Sequence, residues 1–249
     1  LLALIARGVG IEYSHHPINE KWKNVWHWFI FGGSVLAPFL LGVLFTSIVR
    51  GMPIDENMTM WATFTDYVNV YSVVGGLAVV LLTLVHGLTF IGLRTTGPVH
   101  TRALALLNKV YFALFGGLVV FAVLTYFNTD LFTVRPVATP VFLGCIVLAA
   151  VLGFIFANKG KEGWAFTMSG LTIVLTVAML FVGLFPRVMI SSIDPAFNLT
   201  IDNAASGQYT LSLMTKISLT LLPFVLGYQI WSYYIFRKRI SHKDTVNYE

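Results

Sequence analysis

The chain has 249 residues, of which 57% are hydrophobic and 11% are charged, and its formal net charge is +5. Soluble domains carry about 25% charged residues, so this composition excludes an ordinary soluble protein and favours an integral membrane protein. Cys145 is the only cysteine, which excludes an intrachain disulfide and a metal cluster built from cysteines. The positive charges lie between apolar runs, so they indicate membrane topology and not nucleic-acid binding.

Apolar runs divide the chain into segments. Residues 1–6 form a run that is too short to span a bilayer, and we expect it to be the end of a helix that begins earlier. Six longer runs follow, at 25–49, 70–93, 110–127, 141–157, 164–185 and 217–236. Backbone in lipid must form its own hydrogen bonds, and each run has about the length of a membrane span. The sequence therefore predicts an all-α, polytopic transmembrane helix bundle, with residues 1–249 forming a single transmembrane domain.

Loop charges predict how the bundle is oriented. Basic residues on one side of the predicted spans are Arg7, Lys21, Lys23, Arg94, Arg102, Lys109, Lys159, Lys161, Arg237, Lys238, Arg239 and Lys243. Those on the other side are Arg50, Arg135, Arg187 and Lys216. Because loops rich in Lys and Arg stay in the cytoplasm, we expect the first set and the C-terminus to be cytoplasmic.

His86 is the only one of the six histidines that lies well inside a predicted span. It precedes the inner boundary by seven residues, or about 10 Å. An ionisable group at this depth could ligate haem or relay protons. It could equally be a neutral histidine that is hydrogen-bonded to a neighbouring helix. A low-spin haem between helices takes two opposed axial ligands, and the spans offer no second histidine at this depth.

Charged residues are otherwise absent from the interiors of the six apolar runs. Ion-coupled transporters and proton pumps place such residues near the midplane, so their absence argues against both classes. No nucleotide-binding or zinc-hydrolase motif is present. We therefore predict no catalytic, cofactor-binding or metal-ligating residue in this chain, with His86 as the one weak candidate metal ligand.

Several stretches, taken in order, resemble subunit II of cytochrome bd-type quinol oxidases. They include residues 7–13 (Arg-Gly-Val-Gly-Ile-Glu-Tyr), 50–53 (Arg-Gly-Met-Pro), 185–192 (Phe-Pro-Arg-Val-Met-Ile-Ser-Ser) and 204–211 (Ala-Ala-Ser-Gly-Gln-Tyr-Thr-Leu). The likeness covers essentially the whole chain, and it rests on the order and spacing of these stretches. His27 stands where this family often has Asp, and Gly8 where it often has Pro.

The resemblance implies that the chain is the C-terminal part of subunit II in a respiratory terminal oxidase. Such a complex oxidises quinol, reduces O2 to water and contributes to the proton-motive force. Haem b, haem d and the quinol site are expected on the partner, subunit I, so this chain would not be catalytic alone. A small accessory subunit, membrane lipids and a bound quinone or lipid are further expected partners. The location implied is a bacterial or archaeal cytoplasmic membrane.

Two other functions remain open from the residues alone. One is a secondary transporter or permease, which would show substrate-dependent flux without a partner. The other is a membrane cytochrome that binds haem in its own right, for which His86 would be the candidate ligand.

Overall fold

The computed structural model describes residues 1–15 and 19–237, and within them the chain is almost entirely helical. The helices are α1 (Leu2–Ser14), α2 (Glu20–Arg50), α3 (Phe64–Tyr67), α4 (Val70–Arg94), α5 (Pro98–Asn128), α6 (Leu131–Val134), α7 (Ala138–Asn158), α8 (Glu162–Leu184) and α9 (Gln208–Ile235). Two short strands, β1 (Arg187–Met189) and β2 (Leu199–Thr200), pair antiparallel between α8 and α9.

Six of these helices, namely α2, α4, α5, α7, α8 and α9, are long and apolar enough to cross a membrane. This confirms the predicted all-α polytopic bundle with six spans. The helices extend beyond the apolar runs, since α5 begins at Pro98 and not at 110, and α9 begins at Gln208 and not at 217. At 31 residues, α5 is about 46 Å long, which exceeds a hydrocarbon core of about 30 Å.

Charged residues inside the long helices lie in these extensions. Lys109 precedes the apolar run of α5, and Lys216 precedes that of α9. The apolar run at 1–6 is likewise only the first part of α1, which continues to Ser14. The predicted basic residues Lys238, Arg239 and Lys243 lie outside the described residues.

The two ends of the bundle differ, and each is named here by its residues. The cap end carries segments 51–69 and 185–207, and the basic end carries loops 95–97 and 159–161. At the cap end the two segments join, because Met52 N donates to Ile190 O and Ser192 N donates to Met52 O, at 2.8 and 2.9 Å. The Ser191 hydroxyl also donates to Ile54 O at 2.8 Å.

Helix packing is close where α2 crosses α4. A Cβ added to Gly42 would lie 2.7 Å from Gly75 O and 2.7 Å from Gly76 Cα, so only glycine permits this approach. Small residues at such crossings let backbones pack closely in a membrane. The core contains Tyr71, Leu107, Leu114 and Ile146, which are almost fully buried between α4, α5, α7 and α8.

Candidate functional site

His86 lies in α4, eight residues or about 12 Å before the helix ends at Arg94. Its Nδ1 atom is 2.9 Å from the Ser169 hydroxyl of α8. The imidazole also stacks on Phe166 of the same helix, with ring centroids 4.5 Å apart. Helix α8 thus contacts the imidazole twice, through Ser169 at the ring edge and through Phe166 at the ring face.

Two hydroxyls lie around His86. Thr89 Oγ1 donates to His86 O at 2.8 Å, and Ser169 Oγ lies 2.8 Å from Phe166 O and 2.9 Å from His86 Nδ1. The Ser169 hydroxyl has one proton, so it can donate to Phe166 O or to His86 Nδ1 but not to both. The hydrogen-bond roles of Nδ1 and Ser169 therefore depend on the tautomer of the imidazole.

The surroundings of His86 offer little else for metal binding. Within the described ranges, no group of three or more His, Cys, Asp or Glu side chains is close enough to hold a metal ion. The Thr89 and Ser169 hydroxyls lie 3.1 Å apart beside the ring and are fully buried between α4 and α8. The arrangement is that of a polar contact between packed helices.

Three threonine hydroxyls elsewhere in the spans donate to their own helices. Thr83 donates to Val79 O at 2.9 Å, Thr172 to Met168 O at 2.8 Å and Thr176 to Thr172 O at 2.8 Å. A hydroxyl bonded to the carbonyl four residues earlier has its proton engaged. These threonines therefore do not form a hydrogen-bonded chain from one helix to the next.

An apolar cavity of about 200 Å³ lies between α2, α4, α5 and α8. Its lining includes Pro38, Phe45, Leu82 and Leu180, and the hydroxyl of its Thr83 is bonded to the backbone. A cavity without free polar groups holds apolar guests and not ordered water. It could accommodate an acyl chain or another small apolar group.

A histidine–carboxylate contact joins two helices at the basic end. His100 Nε2 lies 3.2 Å from Glu162 Oε1, and His100 Nδ1 lies 3.1 Å from Gly92 O. Both neighbours, the Glu162 carboxylate and the Gly92 carbonyl, are hydrogen-bond acceptors. This pair connects the start of α5 to the start of α8.

An ion pair stands at the cap end, where Arg187 and Asp130 form two hydrogen bonds of 2.5 and 3.1 Å. The loop charges predicted the side of the membrane on which Arg187 lies, but they did not predict its pairing with Asp130. The available signal was that Asp130 lies just after α5 and Arg187 shortly after α8, since helix ends on one side are neighbours. Arg135 adds a further tie by donating to Phe185 O at 2.9 Å.

Carboxylates in the 51–69 segment fix its turns. The Trp61 indole N–H and the backbone N–H of Thr59 donate to Asp55 and lower the pKa of this exposed carboxyl. The backbone N–H and hydroxyl of Thr63 lower the pKa of Asp66 in the same way. Both groups are therefore ionised at neutral pH and act as hydrogen-bond acceptors that hold the cap together.

Comparisons with known proteins agree over almost the whole chain. The family described as cytochrome bd terminal oxidase subunit II matches residues 1–236. The chain is 49% identical over 248 residues to cytochrome bd ubiquinol oxidase subunit 2 of Bacillus subtilis (strain 168), covering 100% of this chain and 73% of that protein. It is 30% identical over 277 residues to cytochrome bd-I ubiquinol oxidase subunit 2 of Escherichia coli (strain K12), covering 98% of this chain and 73% of that protein.

Proposed function

Because the chain belongs to the cytochrome bd terminal oxidase subunit II family, we propose that it is the subunit that supports the redox centres without ligating them. Membership makes it a multi-pass membrane subunit of a haem-containing quinol oxidase, an oxidoreductase complex with at least one partner subunit. This assignment decides against the secondary-transporter alternative. In our proposal, subunit I carries haem b, haem d and the quinol site, and the complex reduces O2 to water.

One observation carries the proposed supporting role: the polar side chains within the spans bond inside the chain. His86 is bonded to Ser169, and the hydroxyls of Thr83, Thr172 and Thr176 are bonded to backbone carbonyls. Such contacts hold helices together in lipid, where burial from water contributes little. They favour packing over haem ligation as the purpose of these groups.

The proposed partner surface includes α9, whose residues are without exception at least partly exposed in the described chain. A spanning helix gains stability in a membrane by packing against other helices. We propose that residues 1–249 form one transmembrane unit, the C-terminal part of subunit II, and that other chains or segments of the oxidase cover α9. A bound quinone or lipid and a small accessory subunit are further proposed components.

Removal of the subunit tests the proposed role. Membranes that contain subunit I but lack this chain should lose quinol-driven O2 uptake, because the haem-bearing chain is left unsupported. The haem content per subunit I, measured from absorption spectra, should fall together with the O2 uptake. Full haem content and full turnover without this chain would contradict the proposal.

The proposed topology places the basic end and the C-terminus in the cytoplasm. In a Cys145→Ala background, single cysteines at Asn57 and Asn203, which lie at the cap end, should react with a membrane-impermeant thiol reagent on intact cells. Cysteines at Thr96 and Asn158 should react only after the cells are opened. Labelling of the Thr96 or Asn158 positions from outside would reverse the orientation.

A further inference from the structure

A polar cavity of about 520 Å³ lies at the cap end, between the last turn of α2, the end of α5 and the segment after α8. Small-molecule sites have volumes of about 300–1,000 Å³, so this cavity is large enough for an organic headgroup. Its charged lining residues are Arg50, Asp130 and Arg187. All of the lining residues described here come from this chain, and the cavity does not involve the helix contacts that the supporting role rests on.

The charges of the cavity do not cancel. Arg187 is largely buried and is neutralised by its two hydrogen bonds to Asp130. Arg50 forms no hydrogen bond or ion pair with any residue in the described part of the chain, although it exerts a weak attraction on Asp66. The Asp66 carboxylate is itself occupied by the N–H and the hydroxyl of Thr63. One positive charge, that of Arg50, therefore remains for a ligand.

The uncharged groups of the cavity leave one amide donor group and one amide acceptor for a ligand. The hydroxyls of Thr129, Thr133 and Ser191 donate to backbone carbonyls and are engaged. Asn198 accepts the backbone N–H of Ser191 on its side-chain oxygen, which leaves its NH2 group as a donor. Asn128 has its NH2 group bonded to Leu124 O, so its side-chain oxygen remains as an acceptor. A matching ligand is an anion that also carries a hydroxyl.

The position of the cavity points to the membrane surface. Arg50 and Asn128 are the last residues of α2 and α5, two helices that are long enough to span the bilayer. At the rim, the Phe127 side chain is 76% exposed and offers an apolar surface beside the polar lining. Lipid phosphates lie just outside the hydrocarbon core, at the level where such helices end.

We propose that this cavity binds a phosphate group, held by the Arg50 guanidinium and the Asn198 amide. An arginine fork matches phosphate oxygens with two parallel hydrogen bonds. A glycerol-bearing phospholipid headgroup supplies both the anion and a hydroxyl for Asn128, and inorganic phosphate supplies the anion alone. Both ligands would contact Arg50, but only the phospholipid would also place a glycerol hydroxyl at Asn128.

The test uses the assembled oxidase, purified and stripped of lipid by detergent exchange. Native mass spectrometry counts bound dioleoyl phosphatidylglycerol, dioleoylglycerol (which lacks phosphate) or inorganic phosphate. Arg50→Gln should weaken phosphatidylglycerol binding by about tenfold or more, since it removes a charge-assisted hydrogen bond. Lys216→Gln removes a positive charge from α9 near the same end, outside the cavity, and is the matched control.

Each outcome has a definite meaning. Arg50-dependent binding of phosphatidylglycerol that millimolar phosphate does not displace supports a lipid site. Arg50-dependent binding of inorganic phosphate, with displacement of the lipid, supports a site for free phosphate. The proposal is overturned if the Arg50→Gln complex binds phosphatidylglycerol as well as the unchanged complex does. It is also overturned if the unchanged complex binds dioleoylglycerol as well as it binds phosphatidylglycerol. If Arg50→Gln does not assemble, Asn198→Ala replaces it, and unchanged phosphatidylglycerol binding by that variant overturns the proposal.

Discussion

Two helices of this chain, α5 and α9, have similar lengths and similar apolar sequences but opposite surroundings. In α5, residues such as Leu107, Tyr111 and Leu114 are fully buried against neighbouring helices. In α9, none of the 28 residues is buried, and large apolar side chains such as Phe224 and Ile230 are exposed. Hydropathy shows that a helix can lie in lipid, but it does not show which helices pack on each other.

The difference lies in shape and not in apolarity. Where α2 meets α4, Gly42 faces Gly75 and Gly76, and the backbones touch. In α9, a Cβ added to Gly227 would meet nothing within 4 Å. In lipid, helix association depends on close packing and on interhelical hydrogen bonds, because apolar side chains are equally soluble in the acyl chains. The comparison predicts that the same substitution has different effects in the two regions.

The largest contrast is expected for one phenylalanine in each region. Phe121 of α5 is 6% exposed and stacks on Tyr71 at 5.7 Å, whereas Phe224 of α9 is 75% exposed. Phe121→Ala should lower the free energy of unfolding by up to about 3–5 kcal/mol, the cost in soluble cores, because it leaves a cavity. Phe224→Ala should change it by less than about 0.5 kcal/mol. The measurement is unfolding of this chain alone in mixed micelles, and equal losses would show that α9 packs on the bundle.

A smaller effect is expected at the crossing of α2 and α4. Gly42→Ala forces a methyl group against the backbone of Gly75 and should cost about 1–3 kcal/mol, as overpacking does. Gly116→Ala is the matched control, since a Cβ there meets nothing within 4 Å, and it should be neutral or stabilising by about 0.5–1 kcal/mol. Both are measured as unfolding free energies in detergent. A neutral Gly42→Ala would mean that the helices do not touch there.

The sequence predicted the spans well because hydropathy and span length reflect the same physical requirement. Its boundaries were short for α5 and α9, because a helix can continue into the polar region with residues such as Lys109 and Lys216. Strands β1 and β2 were not predicted, since they are only three and two residues long, too short to show an alternating pattern. The Arg187–Asp130 pair and the Ser169 partner of His86 were not predicted because each joins segments that are distant in sequence. Family membership could be predicted because several short sequence stretches typical of the family occur in this chain in the same order.

Modest effects are expected at the threonines within the spans. Three variants, Thr83→Val, Thr172→Val and Thr176→Val, each remove a hydroxyl that is bonded to its own helix. None of them therefore interrupts a hydrogen-bonded proton route between helices. Each should reduce quinol-driven O2 uptake by less than twofold, or about 0.4 kcal/mol in activation free energy. A tenfold loss at unchanged haem content would identify that hydroxyl as part of a proton route.

The most direct test of the central claim is the haem spectrum of the assembled oxidase with His86→Ala in this chain. His86 lies within the α4 span, eight residues before its end at Arg94, and its contact with Ser169 is between helices. Ser169→Ala is the control, because it removes the hydrogen bond and keeps the imidazole. If the chain supports the haems without ligating them, all haem absorption bands per complex should keep their positions and intensities in both variants. Loss of a single band in His86→Ala alone, with the complex otherwise intact, would make His86 a haem ligand and contradict the account.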